Sequence, residues 1–194
     1  MNRLQNIGYF LVEPIAKPAC FDLPCTRLLS LSDCIVRIFP DSAERIHQDL
    51  PVWNLIKEGR FSPSDGRFSV LCDALKFYEQ FKTEVNALRI IGQFAEADVV
   101  RRFVSGCEGE VFLCKETVAP KKLLGGEILG EDGGLHSYLC NGLEKDLRKK
   151  FAVQWNDWGL IQNSYEEMRV FAEFLQGQGE PVEWLPYLLF DYTP

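Results

Sequence analysis

Apolar segments of strand length lie near both ends of the chain, at residues 7–13 and 182–192, and they limit the folds that this chain can form. Both segments are rich in aromatic and branched residues, and Pro14 ends the first of them. Similar segments at 32–39, 87–94, 110–118 and 121–130 predict further strands. Because helical patterns interrupt these strands irregularly, we expect one α+β domain over residues 1–194. Its sheet is predicted to be mixed or antiparallel, with helices mainly on one face.

Helices are predicted where apolar residues recur every three or four positions, at residues 64–81, 96–104, 135–151 and 164–176. Residues 42–48 predict a further short helix. In the segment 135–151, four leucines and Phe151 follow one another at intervals of four. Ser164 and Glu167 have the spacing of a capping box, which predicts where the last helix begins.

The chain is large enough to fold without disulfides or metals. A chain of 194 residues and 22.2 kDa is expected to bury about 70% of the surface that it exposes when unfolded.

The chain has seven cysteines, an odd number, and no CxxC pair occurs among them. These features are typical of a reduced, cytoplasmic protein without a zinc site. No export signal or membrane-length apolar run is found in the sequence.

The net charge is −7 at neutral pH, from 28 acidic and 21 basic residues. Such a surface repels phosphate groups, so the charge balance argues against nucleic-acid binding. It attracts basic proteins and raises the rate at which they are encountered. Solubility alone is the other explanation of this charge, and the sequence leaves both open.

The segment from Gly125 to Glu144 is the strongest candidate for chemistry. If a helix begins near Gly134, then His136, Cys140 and Glu144 lie along one face, and a Cys140–His136 pair could act as a nucleophile. Packing at the edge of the core explains the same spacing, and a metal site is the third alternative. The glycines fit neither GxGxxG nor a phosphate loop, so no cofactor is predicted.

Trp155 and Trp158 flank a turn in which Asp157 lies between them. Aromatic residues beside acidic ones suit a protein interface, because they bury a large area at a low entropic cost. Core packing and anchoring of the turn are the alternative explanation.

The sequence contains few of the residues that known catalytic motifs require. It has only two histidines, at 47 and 136, and no HExxH or GxSxG motif.

Three sequence blocks, in order, resemble small bacterial proteins that are encoded beside secreted toxins. They are Gly126-Glu127-Ile128-Leu129-Gly130, Leu135-His136-Ser137-Tyr138-Leu139-Cys140-Asn141-Gly142, and Asn156 with Gly159-Leu160-Ile161 before an amphipathic helix. The resemblance covers residues 123–176 and is to immunity proteins and their relatives of unknown function. It implies a bacterial cytoplasmic protein that binds a protein partner such as a basic nuclease toxin.

The sequence therefore favours a non-catalytic, immunity-type protein that neutralises a basic toxin by occlusion. The residues predicted to bind the partner are Glu127, Glu131, Asp132, His136, Glu144, Trp155 and Trp158. The first alternative is a small hydrolase or transferase that uses Cys140 and His136. The second is a homodimer that pairs through its aromatic surface.

Overall fold

The computed structural model describes residues 4–40, 50–85, 87–106, 113–114, 116, 118–132 and 134–194. The strands are β1 Leu4–Glu13, β2 Ile15–Ala16, β3 Arg27–Leu28, β4 Arg37–Phe39, β5 Phe61–Ser62, β6 Arg67–Phe68, β7 Arg89–Glu96, β8 Lys122–Glu131, β9 Leu135–Ser137 and β10 Leu185–Asp191. The helices are α1 Leu50–Lys57, α2 Leu71–Phe81, α3 Ala97–Gly106, α4 Glu144–Lys150 and α5 Tyr165–Leu175, with a 3-10 turn at Tyr138–Asn141.

Eight of the described strands form one antiparallel sheet in the order β5-β6-β1-β7-β10-β8-β9, and β4 pairs with β1 beside β6. The two strands from the chain ends are internal: β1 pairs with β7, and β10 lies between β7 and β8. Their residues are apolar on both faces, as an internal strand requires. The predicted α+β class and an antiparallel sheet are thus confirmed.

Alternate residues of β1 pack on opposite sides of the sheet. Phe10 and Val12 join a larger buried cluster, whereas Tyr9 and Leu11 join a smaller one. Helices α1 and α2 pack against the smaller cluster, and α3, α4 and α5 contribute to the larger one. Each fully buried large apolar side chain stabilises the fold by about 1.5–3 kcal/mol relative to its exposed state.

The sheet curves until its two ends meet. A Cβ built on Gly134, in the turn between β8 and β9, would lie 3.5 Å from the carbonyl oxygen of Ser64. Ser64 belongs to the turn between β5 and β6, at the opposite end of the strand order. Strand pairs twist in one direction, and the twist accumulates across a sheet of many strands. The curvature brings together residues that are about 70 positions apart in the sequence.

The predicted helix over residues 135–151 is wrong in its first half. Leu135–Ser137 instead form β9, which pairs with the end of β8. The Ser137 hydroxyl then accepts a hydrogen bond from the Leu139 N–H at 3.3 Å, and Gly142 adopts a left-handed conformation with φ of 68°. Only Glu144–Lys150 is α-helical. Leu135, Leu139, Leu143 and Leu147 are nevertheless all buried.

Two other boundaries differ from the predictions. The strand expected at 32–39 is reduced to Arg37–Phe39, because the Ser32 carbonyl accepts hydrogen bonds from Ile35 and Val36 in a turn. The helix expected from Ser64 begins at Leu71, whose N–H donates to Glu116 at 3.0 Å. The predicted helix 42–48, His47 and most of the predicted strand 110–118 lie outside the described residues.

Candidate functional site

The predicted row of His136, Cys140 and Glu144 does not share a helical face, because residues 135–141 are not α-helical. The Cys140 thiol lies 3.4 Å from the Ser32 hydroxyl, and the His136 ring nitrogen Nε2 lies 3.4 Å from the Asp132 carbonyl oxygen. Cys140 is exposed, but partial desolvation of its thiol raises the thiol pKa, and the hydrogen bond with Ser32 only partly offsets this. A thiol that stays protonated at neutral pH is a weak nucleophile. The raised pKa of this thiol therefore does not favour the enzyme alternative.

Glu127 and Glu144 lie inside the protein, each 1% exposed. Glu127 accepts hydrogen bonds from the Leu31 N–H at 2.9 Å and from the Ser30 hydroxyl, so it holds the segment 29–32 against β8. Burial raises the pKa of Glu127 to about 7, although these hydrogen bonds oppose the shift. The carboxylate of Glu144 lies 3.5 Å from the Asp22 N–H. The predicted role of these two glutamates on an exposed binding face is therefore corrected: both are buried, and each accepts a hydrogen bond from a distant segment of the chain.

The two predicted tryptophans are half-buried and contact other parts of the fold. The Trp155 indole N–H donates to the Tyr138 hydroxyl at 2.9 Å. The Trp158 ring lies against two guanidinium groups, at 5.8 Å from Arg27 and 4.9 Å from Arg89. Cation–π contacts of this kind hold a ring in place.

Glu131, Asp132 and His136 lie where the two ends of the sheet meet. Asp132 is exposed, whereas Glu131 and His136 are half-buried. The seven residues predicted to bind a partner therefore do not form one exposed surface. Among the described residues, no group of three or more histidine, cysteine, aspartate or glutamate side chains is arranged to hold a metal ion.

A groove lies on another side of the molecule, between α3 and α5. It has a volume of about 220 Å³, and its walls include Val99, Arg102, Glu166, Val170, Glu173 and Trp184. A shallower depression of about 390 Å³ adjoins it and is lined by Asp98, Arg101, Arg102, Ser105 and Glu183. Arg102 belongs to both, so the two form one continuous surface, which we call the α3–α5 groove.

The exposed face of α5 supplies the groove with one apolar residue between two carboxylates. Glu166, Val170 and Glu173 are four and three residues apart, which places them on one helical face. The opposite face, with Met168, Phe171 and Leu175, is buried in the core. Val170 is 50% exposed, an unusual position for a branched apolar side chain on a charged helix face.

Ion pairs fix the distance between the two helices. The Arg169 guanidinium on α5 contacts Asp98, in the first turn of α3, at 2.7 Å and Glu96, the last residue of β7, at 2.9 Å. The hydrogen bond from Arg169 lowers the pKa of Asp98. Arg102 on α3 contacts Glu183 at 2.6 Å across the groove. The arginines beside Asp98 and Glu183 are thus already neutralised by carboxylates.

Glu166 and Glu173 make no ion pair in the part of the chain that the structure describes. Both side chains are exposed. The groove therefore offers two free carboxylates about two helical turns apart with an exposed apolar side chain between them. This arrangement suits a ligand that has positive charges around an apolar group.

The sequence patterns did not identify this groove. Glu166 lies in the first turn of a helix, where the helix dipole alone explains an acidic residue. The one local signal is Val170, which interrupts the polar face of an otherwise amphipathic helix. The second wall, α3, approaches α5 only through contacts between distant segments.

No known protein family, no curated protein and no solved structure matches this chain. In the described part of the chain, no helix has both the length and the apolar composition needed to cross a membrane.

Proposed function

We propose that the protein is a non-catalytic binding protein of the immunity type, which captures a basic protein partner through the α3–α5 groove. The observation that carries this proposal is the exposed Val170 between the unpaired carboxylates of Glu166 and Glu173. Apolar side chains at the centre of a contact supply most of its affinity, and surrounding charges select the partner.

The charge of the whole chain supports a basic partner. A net charge of −7 increases the rate at which a basic protein is encountered, and this attraction weakens as salt is added. A toxin that acts on nucleic acid has a positively charged cleft, because its substrate is a polyanion. A partner held across such a cleft would be inactive by occlusion, in the cytoplasm of the cell that produces both proteins.

The size of the groove indicates that it forms the centre of the contact and not the whole of it. A volume of about 220 Å³ accommodates a few side chains. Stable protein interfaces bury about 1,200–2,000 Å² in total. The adjoining depression, lined by α3 and Glu183, extends the same surface and provides the polar rim that such interfaces have.

The test is co-expression of this chain with the protein encoded by its neighbouring gene, followed by gel filtration at moderate salt. We expect a complex that contains one partner and not a dimer of this chain. Val170→Asp should weaken binding at least about tenfold, because it places a charge at the apolar centre, and tenfold corresponds to about 1.4 kcal/mol. Val170 is half exposed, so the variant should still fold, which circular dichroism checks.

The matched control is Glu79→Gln with Glu84→Gln, which removes two exposed carboxylates at and beyond the end of α2. It makes the net charge less negative by the same amount as Glu166→Gln with Glu173→Gln but leaves the groove intact. Equal binding by the wild type and Val170→Asp would exclude the groove as the contact. Absence of any complex with the wild type would exclude the neighbouring protein as the partner.

A further inference from the structure

Three charged side chains around the α3–α5 groove make no ion pair with any residue that the structure describes. They are Glu166 and Glu173 on α5 and Arg101 on α3, and all three are exposed. The other charged residues of the two walls are paired within the fold, as Arg102 is with Glu183. The unpaired charges are therefore negative on the α5 wall and positive on the α3 wall.

The floor of the groove has few hydrogen-bonding groups to offer a ligand. The Trp184 indole N–H already donates to the Gln178 carbonyl oxygen at 3.0 Å. The Gln176 amide nitrogen donates to the carbonyl oxygens of Ala172 and Trp184, and its oxygen accepts from the Trp184 N–H at 3.2 Å. Selection of a partner at this surface therefore depends on the exposed Val170 and on the three unpaired charges.

The spacing of the two carboxylates favours a helix as the occupant. Glu166 and Glu173 are seven residues apart on α5, which is about 10.5 Å along the helix axis. Residues seven apart on a second helix have the same spacing and lie on one face, so two basic residues can face both carboxylates. In an extended strand this distance corresponds to about three residues, and residues three apart point to opposite faces. Both walls are helices, so they present no strand edge to which an extended segment could add.

We propose that the α3–α5 groove binds an α-helix of the basic partner, with two basic residues seven positions apart against Glu166 and Glu173, an apolar residue between them against Val170, and an acidic residue against Arg101. This inference rests on the proposed function and specifies its ligand. The groove volume of about 220 Å³ receives the apolar side chain. The bound helix is basic along the side that faces α5 and acidic along the side that faces α3.

Arg101 separates this pattern from a general attraction of basic proteins. If overall charge alone attracted the partner, Arg101→Glu would make this chain more negative and would strengthen binding or leave it unchanged. If an acidic residue of the partner faces Arg101, the same substitution replaces an attraction by a repulsion. The dissociation constant should then rise by about fivefold. The two expectations are opposite in sign.

The first experiment measures the affinity for the protein encoded by the neighbouring gene, by titration calorimetry at moderate salt. Arg101→Glu should raise the dissociation constant by about fivefold. The matched control is Lys145→Glu, the same change of charge at an exposed residue of α4 that makes no ion pair in the described structure. It should not weaken binding. An affinity of Arg101→Glu equal to or above that of the wild type would overturn the inference. The proposed function would still stand if Val170→Asp weakened the same complex.

The second experiment does not need the neighbouring protein. It uses two synthetic helical peptides of identical composition. In the first, two lysines seven positions apart flank a leucine on one face. In the second, the lysines are five positions apart and lie about 140° from each other around the helix.

The Val170 methyl signals in the NMR spectrum report the binding of either peptide at about 1 mM. We expect the first peptide to shift these signals with a dissociation constant at least about threefold lower than that of the second. Equal dissociation constants, or methyl signals that the first peptide does not shift, would overturn the helical occupant whether or not the neighbouring protein binds.

Discussion

Two acidic regions of this molecule place the same side chain in opposite environments. Along β8 and after it, Glu131 is half-buried, and Glu127 and Glu144 are buried and accept hydrogen bonds from distant segments. On α5, Glu166 and Glu173 are exposed and free of ion pairs in the described structure. The comparison teaches that a net charge of −7 is not a property of the surface alone. Substitutions in the first region should change stability, and substitutions in the second should change binding.

The largest effect is expected from removing a cation that is buried with its partner. Arg67 pairs with Asp65 at 3.1 Å, and the two side chains are 3% and 0% exposed. Arg67→Ala leaves Asp65 buried without an opposite charge, so the free energy of unfolding should fall by about 3–5 kcal/mol. Chemical denaturation at neutral pH measures this.

The control for this substitution is Arg148→Ala. Arg148 pairs with Asp22 at 2.8 Å, but both side chains are more than half exposed, so its removal should cost less than about 1 kcal/mol. If Arg67→Ala cost no more than this control, the buried Asp65 would not depend on Arg67 for its stability.

The pH dependence of stability gives the next largest effect. Burial raises the pKa of Glu127 from 4.5 to about 7 in the folded protein. Its contribution to stability is therefore complete below pH 4.5 and is lost as the pH rises through about 7. A shift of this size corresponds to about 3 kcal/mol. Glu127→Gln has the shape of the protonated acid, so it should lose this much less stability between about pH 5 and pH 8.

Urea denaturation at the two pH values measures that difference. Glu79→Gln on the exposed face of α2 should leave the pH dependence of the wild type unchanged. The decline that remains in Glu127→Gln would be due to Glu131. A Glu127→Gln profile identical to that of the wild type would show that Glu127 is not buried as described.

A smaller effect is expected at the start of α5, which positions the groove residues. The Ser164 hydroxyl accepts from the Glu167 N–H at 3.3 Å, and the Glu167 carboxylate accepts from the Ser164 N–H at 3.0 Å. Ser164→Ala removes half of this capping box and should cost about 1 kcal/mol.

The control is Ser105→Ala in α3, whose exposed hydroxyl donates to the Arg101 carbonyl within the same helix. It should change the free energy of unfolding by less than about 0.5 kcal/mol. Equal costs for the two serines would mean that the capping box does not fix the start of α5.

The capping box also shows what a sequence can predict. Ser164 and Glu167 are three residues apart, so their geometry is local, and the last helix was predicted almost to its ends. The four leucines from Leu135 to Leu147 were correctly predicted to be buried, but the first of them belongs to a strand. Pairing with β8 decides that backbone, and a four-residue spacing contains no information about pairing.

The candidate sites were harder to predict, for the same reason. Ser64 and Gly134 are far apart in the sequence and approach each other only because the sheet curves. The α3–α5 groove depends on Arg169 reaching Asp98, which is also a contact between distant segments. Val170, an apolar residue on a charged helix face, is the only one of these features that the sequence alone could have indicated.

The smallest effect on stability, and the sharpest separation of the two regions, is expected for Glu166→Gln combined with Glu173→Gln. Neither carboxylate has an ion-pair partner among the described residues, so the free energy of unfolding should change by less than about 0.5 kcal/mol. Association with the basic partner should nevertheless become slower and less sensitive to salt, because the two charges nearest the apolar centre are gone. Stopped-flow mixing at low and moderate salt measures the association rate and its dependence on salt.

The control is the Glu79→Gln and Glu84→Gln double variant, which has the same net charge. If only the Glu166→Gln and Glu173→Gln variant associates more slowly, the local charges of the groove are the cause. If both double variants were slowed equally, the overall charge of the protein, and not the groove, would guide the partner.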